Sequence, residues 1–159
     1  MNIKLEPINK KNKKAVLSLS VREDQPFVAS NKSSLLEAKE ANEEQPGMAR
    51  PFAIYADDKL VGFCMFAVDM EEEDEDDRYY LWRFMIDKKY QKRGYGKEAL
   101  KLALDFIRTF PCGEAEYCVL SYEPENEVAK KLYSSFDFRE LNEPGYYEEG
   151  DEISAVLTL

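Results

Sequence analysis

The chain contains no histidine. That removes Ser-His and Cys-His nucleophilic machinery, takes away the commonest zinc ligand, and leaves no metal expected. Cysteine is scarce too: Cys64, Cys112 and Cys118 are odd in number and lack a framework spacing. They argue against a secreted disulfide scaffold and read as reduced thiols, mostly in the core. Apolar runs are short. None approaches the ~20 residues that a membrane span needs, and no signal peptide opens the chain, so a cytoplasmic location without membrane attachment is expected. Positive charge is also under-represented, with 22 Lys and Arg against 32 Asp and Glu, a net charge of −10 and a pI near 4.7. Nucleic acid needs a basic face and is not an expected ligand. A cationic partner fits better, because opposite charge raises its local concentration. The same excess also serves solubility alone.

What is present fits one domain over residues 1–159. Hydrophobic residues reach 44% and aromatics 13%, enough for a core and against disorder. Ile3, Leu5 and Ile8 alternate as a first strand. Asn9 or Asn12 can cap a helix through about Leu19, and Ser33 or Ser34 a second one, Leu35 to Glu43, with Glu37 placed as in a capping box. Residues 52–68 read as a β-hairpin around the polar Asp57-Asp58-Lys59 turn. The acidic segment 69–77 repels itself and reads as a solvated loop, with steering or weak binding of cations as its functional alternative. Tyr79 to Asp87 forms a long strand. Apolar positions from Ala99 to Phe110 have helical spacing, and Pro111 with Gly113 stops that helix. Ala115 to Tyr122 is another strand. Asn126 caps a helix whose face is Val128, Ala129, Leu132, Tyr133 and Phe136. Phe138–Leu141 and Ile153–Leu159 close the chain as strands. Strands and helices mix around one sheet, so the class is α/β or α+β.

One stretch runs against the acidic background: QKRGYGKEAL, Gln91 to Leu100. A strand, a turn with Gly94 and Gly96, and then a helix together describe an anion site. Glycines let backbone N–H groups converge. The helix N-terminus adds unpaired donors and about half a positive charge. Lys92, Arg93 and Lys97 add full charges. The ligand this suggests is a phosphate or pyrophosphate. The spacing is not that of a P-loop, because Glu98 follows Lys97, and a Rossmann fingerprint would need a third glycine. Without further context the stretch also reads as a plain glycine turn with solvated basic residues.

Gln91-Lys92-Arg93-Gly94-Tyr95-Gly96 resembles the Q/R-x-x-G-x-G/A motif of the GNAT superfamily of N-acetyltransferases. Asn126, Ala129 and Tyr133 resemble its N-x-x-A-x-x-x-Y signature. The order of elements over essentially the whole chain is similar to that fold: a mixed, mostly antiparallel central sheet flanked by about four helices. One departure is Asp137, which stands where the family usually has glycine. A left-handed residue is common there, and Asp tolerates that conformation better than most. Trp82, Arg83, Phe84, Ile86, Asp87, Tyr90 and Gln91, the Val21 to Asn31 segment and the Val61-Gly62-Phe63 strand resemble the bacterial spermine/spermidine acetyltransferase branch.

The resemblance implies acetyl-CoA as co-substrate. It would be bound by Gln91 to Lys97, by the backbone of Phe84, Met85 and Ile86, and by Asn126; the same residues also read as ordinary strand core and a plain N-cap. It implies direct attack of an amine on the thioester and makes Tyr133 the general acid. A polyamine acceptor needs carboxylates and aromatic faces. Glu23, Asp24, Tyr80, Trp82, Glu123, Glu148, Glu149 and Glu152 are the candidates, although the acids among them also read as plain surface charge. Dimers are common in the family, so a homodimer is implied by resemblance only. Two alternatives stay open: the same chemistry on a protein N-terminus or lysine, and a non-catalytic acyl-CoA-binding module.

Overall fold

The computed structural model describes residues 2–21, 30–44, 47–69, 78–141 and 152–159. Seven strands form one sheet: β1 (Ile3–Pro7), β2 (Ala49–Ala56), β3 (Lys59–Asp69), β4 (Arg78–Ile86), β5 (Tyr117–Tyr122), β6 (Arg139–Glu140) and β7 (Ile153–Thr158). Their order is β1-β2-β3-β4-β5-β7-β6. Every neighbouring pair is antiparallel except β4 and β5. Four helices interleave: α1 (Lys13–Ser18), α2 (Asn31–Glu44), α3 (Tyr95–Ile107) and α4 (Glu127–Ser134). The α+β reading of the sequence holds. Among the described residues no helix is long and apolar enough to cross a membrane.

Alternation along the strands splits the core into two layers. Phe63 and Met65 of β3 pack with Ala53, Val16 and Ala38 on the face of α1 and α2. Phe66, Tyr79 and Leu81 pack with Leu100, Leu104 and Ile107 on the face of α3. The apolar spacing of α3 explains its place: Ala99, Leu100, Ala103, Leu104 and Ile107 are its buried residues.

The turn between β2 and β3 is tighter than its polarity alone suggests. Asp57 (φ 47°) and Asp58 (φ 69°) are both left-handed, as a two-residue type I′ hairpin requires. Gly62 has a different reason. A side chain there would run into the Met85 carbonyl of the neighbouring strand, so only glycine allows β3 and β4 this close.

Several expected boundaries move. Helix α2 begins at Asn31, not Leu35, because Ser30 caps it: the Ser33 N–H donates to Ser30 Oγ at 3.1 Å. The capping box at Ser34 does not form: Ser34 lies inside the helix with its hydroxyl donating to Ser30 O at 3.0 Å, and Glu37 pairs with Arg83 at 2.7 Å. Helix α3 stops at Ile107, β5 starts at Tyr117, and the strand expected over Phe138–Leu141 is only Arg139–Glu140. Val128, expected on the buried face of α4, is 67% exposed. The acidic segment beyond Asp69 lies outside the described residues.

Asp137 adopts the left-handed conformation expected of it, with φ 70°. Phe138 N–H donates to Tyr133 O at 3.2 Å and Asp137 N–H to Ser134 O at 3.1 Å. This pair of bonds is a Schellman motif, and the Phe138 ring packs edge-on against Tyr133 at 5.8 Å, the apolar contact that accompanies such caps. Asp137→Gly should therefore stabilise the chain by about 0.5–1 kcal/mol, read as a higher urea midpoint at unchanged m-value. An unchanged or lower midpoint would contradict this account of the cap.

Candidate active site

The site begins where two strands part. Pairing of β4 with β5 runs from Arg78↔Tyr117 to Leu81↔Leu120 and stops. On the other side of β4 the register with β3 jumps from Phe66↔Leu81 to Met65↔Arg83, which leaves Trp82 as a bulge. A bulge bends and twists its strand. It also shifts the alternation by one. Phe84 and Ile86 consequently join the α3 side of the sheet, and Met85 the α1/α2 side.

Two cavities flank the parted strands. The first, about 310 Å³, is lined by Phe84, Met85, Ile86, Tyr90, Gln91, Lys92, Gly94, Tyr95, Gly96 and Lys97 on one wall. Val21 and α4 residues Asn126, Val128, Ala129, Leu132 and Tyr133 complete it. The second, about 420 Å³, is lined by Tyr80, Leu81, Trp82, Arg83 and Phe84 of β4, with Met48, Ala67, Leu120, Ser121, Tyr122, Glu123 and Glu152. Phe84, Asn126, Ala129 and Tyr133 belong to both. The cavities therefore meet beside Tyr133.

The first cavity has a cationic turn at one end and apolar side chains along the rest of its wall. Lys92 (φ 63°) and Gly94 (φ 82°) turn the backbone left-handed twice within three residues, a pattern that makes anion-binding concavities of successive N–H groups. Gly94 is the N-cap of α3 and carries no side chain to block its first turn. Lys92 and Lys97 supply charge. Arg93 does not line the cavity; its guanidinium lies 5.7 Å from the centroid of the Tyr90 ring. Gly96 is different from Gly94. A Cβ there would sit at ordinary contact, 3.6 Å from Ile86 Cγ1.

A buried carboxylate sets the approach to this turn. Asp87 accepts from Ser20 N–H at 2.8 Å and from Lys89 N–H at 3.2 Å, and Lys88 N–H donates back to Ser20 O at 2.8 Å. These bonds hold Val21, the next residue, against the first cavity. Gln91 fixes the turn from the other end by donating Nε2 to Ile86 O at 3.0 Å.

On α4, Asn126 caps its helix by accepting from Ala129 N–H at 3.1 Å. That leaves its amide NH₂ as the group free for a ligand. Tyr133 is 9% exposed. Its ring packs between Tyr122, at 5.9 Å, and Phe138. Tyr122 is itself anchored, donating to Glu140 Oε1 at 2.6 Å. Burial pushes the Tyr133 phenol above its ordinary value, with the Cys118 and Cys64 thiols adding to the shift. It holds its proton at neutral pH. Burial also pushes the Cys64 and Cys118 thiols up to about 12. None of the three cysteines lines either cavity, and all are free.

Of the acceptor residues expected from the sequence, Tyr80, Trp82, Glu123 and Glu152 converge on the second cavity. Glu23, Asp24, Glu148 and Glu149 lie outside the described residues. Sequence reasoning missed Val21, Val128 and Leu132 as wall residues, and missed the Arg83–Glu37 pair. A charged residue inside the apolar run Tyr79–Ile86 was the available signal for Arg83.

Residues 16–138 match the Acetyltransferase (GNAT) family. The chain belongs to that family. It is an acetyltransferase with acetyl-CoA as co-substrate, and the cationic turn and apolar wall of the first cavity fit such a ligand. A probable spermine N(1)-acetyltransferase of Bacillus subtilis subsp. natto is 32% identical over 143 residues, 87% of this chain and 89% of the relative. The spermine/spermidine N(1)-acetyltransferase of Bacillus subtilis strain 168 is 31% identical over the same shares. Among solved structures, a spermidine N-acetyltransferase from Vibrio cholerae in complex with CoA and spermine superposes with a TM-score of 0.70. It is 15% identical and covers 98% of this chain and 95% of its own. The ribosomal-protein-S18-alanine N-acetyltransferase of Escherichia coli gives a TM-score of 0.65 at 19% identity, covering 98% and 91%. At these identities the structural likeness is one of fold.

Two outcomes follow from this geometry. Gly94→Ala forces a side chain into a left-handed cap and should weaken CoA binding about tenfold, the equivalent of about 1.4 kcal/mol. Gly96→Ala should leave it within about threefold, since that site has ordinary contact space. Calorimetric titration with CoA distinguishes them, and equal losses would refute the assignment of the turn. The thiols set a pH limit. Their folded pKa lies above the unfolded value of about 8.5, so the stability they contribute is present below that pH. It is lost as pH rises toward about 12. Urea midpoints should fall from pH 8 to pH 10, and fall less in a Cys64→Ala, Cys118→Ala chain.

Proposed function

We propose that the chain transfers the acetyl group of acetyl-CoA to a primary amine of a polyamine, spermidine or spermine. The amine attacks directly and Tyr133 serves as general acid. The observation that carries this reading is the meeting of two oppositely charged cavities at one buried phenol. Lys92 and Lys97 line one cavity, Glu123 and Glu152 line the other, and Tyr133 is common to both. The Bacillus relatives named for spermine and spermidine support the choice of acceptor. Free thiols on all three cysteines suit a cytoplasmic location.

Bound acetyl-CoA supplies an activated acyl group, so no enzyme nucleophile is needed. In this reading Gln91, Lys92 and Gly94 to Lys97, with Phe84 to Ile86, hold it along the first cavity, and Asn126 reaches it from α4. Glu123, Glu152, Tyr80 and Trp82 hold the cationic acceptor in the second. Carboxylates balance its charge, and aromatic faces attract ammonium groups. Tyr133 keeps a proton at its hydroxyl for the departing sulfur.

The raised pKa keeps the phenol protonated at neutral pH, so a proton is present when the carbon–sulfur bond breaks.

Tyr133→Phe should cut kcat about 100-fold or more, the usual share of a general acid, while CoA affinity changes no more than a few-fold. Steady-state kinetics and calorimetry read the two separately. Wild-type turnover in that variant would overturn the role. Thiol release from acetyl-CoA with spermidine, spermine, simple amines and basic peptides tests the acceptor. Turnover on peptides alone would move the reading to a protein N-terminus or lysine. CoA binding without turnover on any acceptor would point to a non-catalytic module.

A further inference from the structure

The acceptor cavity contains a cation of its own. Arg83 lines it, and the Trp82 bulge is what turns both side chains toward that face. The guanidinium is held on three sides. Nη2 donates to Glu37 Oε2 of α2 at 2.7 Å, Nη1 donates to the Trp82 carbonyl at 2.9 Å, and Cζ lies 5.5 Å from the centroid of the Trp82 ring. A carboxylate, a carbonyl oxygen and an aromatic face are the groups that recognise an ammonium ion. Here they surround a side chain. The fit is not one that hydrogen bonding alone would select, because Arg83 Nε is buried with no partner among the described residues.

We propose that Arg83 is a specificity-determining residue: a built-in cation that fills an ammonium subsite and confines the acceptor's charges to the Glu123 and Glu152 end of the cavity. This rests on the reading of the cavity as an amine-acceptor site. With Arg83 in place, Glu37 is neutralised and one face of the Trp82 ring is covered, so additional ammonium groups on a longer acceptor gain nothing at that face. Acceptor preference then stays with amines short enough for the open end.

The pair predicts opposite effects for its two members. Arg83→Gln empties the subsite and exposes both Glu37 and Trp82 to the acceptor. Glu37→Gln leaves the Arg83 charge unbalanced inside the cavity, where it repels polycations. The loss of Arg83 is tolerable to the fold because Glu37 is 39% exposed and can be hydrated. A merely structural ion pair would instead lower activity in both variants, without regard to acceptor charge.

The experiment is a charge series. kcat/KM is measured with acetyl-CoA and linear amines carrying one to four nitrogens, for wild type, Arg83→Gln and Glu37→Gln. The expected result is that the tetraamine-to-diamine ratio rises about tenfold in Arg83→Gln and falls in Glu37→Gln, with 0.5 M salt shrinking both shifts. A wild type that acetylates amines, with ratios unmoved or moved the same way in both variants, overturns the subsite. A wild type that acetylates none of the amines overturns the proposed function and the subsite with it.

Discussion

The separation of β4 from β5 after Leu81↔Leu120 is the constraint on which the site depends. Two parallel neighbours in the middle of a sheet would ordinarily continue their ladder, because unpaired backbone groups in a core are costly. Here the ladder ends after four residue pairs, and the bulge at Trp82 bends β4 at that point. Everything functional is arranged around the gap. Helix α3 starts at one edge with Gly94, α4 lies across it with Tyr133, and the cavities occupy its two sides. A regular seven-stranded sheet with the same helices would close that gap.

The gap also separates charges that would otherwise cancel. The chain carries ten more acids than bases. Two lysines are kept at the first cavity, and two carboxylates at the second. The residues common to both are Phe84, Ala129, the Tyr133 ring and one polar side chain, Asn126. The opposite charges of the two cavities can draw an anion to one and a polycation to the other. The Arg83–Glu37 pair is the exception, a neutral unit inside the acidic half.

Much of this was legible in the sequence where local chemistry decides. The spacing of Ala99, Leu100, Ala103 and Ile107 places α3, Asn126 caps α4, and Asp137 takes the left-handed turn because the helix end demands one there. Residues Gln91 to Lys97, Arg93 excepted, gather at one cavity because they are consecutive along a turn. What was not legible depends on strand register. The Trp82 bulge has no signature in a run of apolar residues, yet it decides which way every later side chain of β4 faces. Glu37 was read as part of a capping box because only its near neighbours could be weighed, whereas its partner lies 46 residues away. Serine caps compete closely, and Ser30 prevails because its hydroxyl meets the Ser33 N–H one turn earlier than expected.

Burial of Tyr133 then connects stability to chemistry. The ring is fixed by the Schellman contact with Phe138 on one side and by Tyr122, itself tied to Glu140, on the other. The end of α4 is therefore defined by the residue that donates the proton in the proposed reaction. A helix that frayed by one turn would lose its cap and misplace the phenol together. That linkage explains why a short helix of eight residues, too short to persist alone, is fastened at both ends, by Asn126 at its start and by Asp137 and Phe138 at the other. The rigidity lies where proton transfer needs it, because a general acid acts only from within hydrogen-bond reach of the atom it protonates.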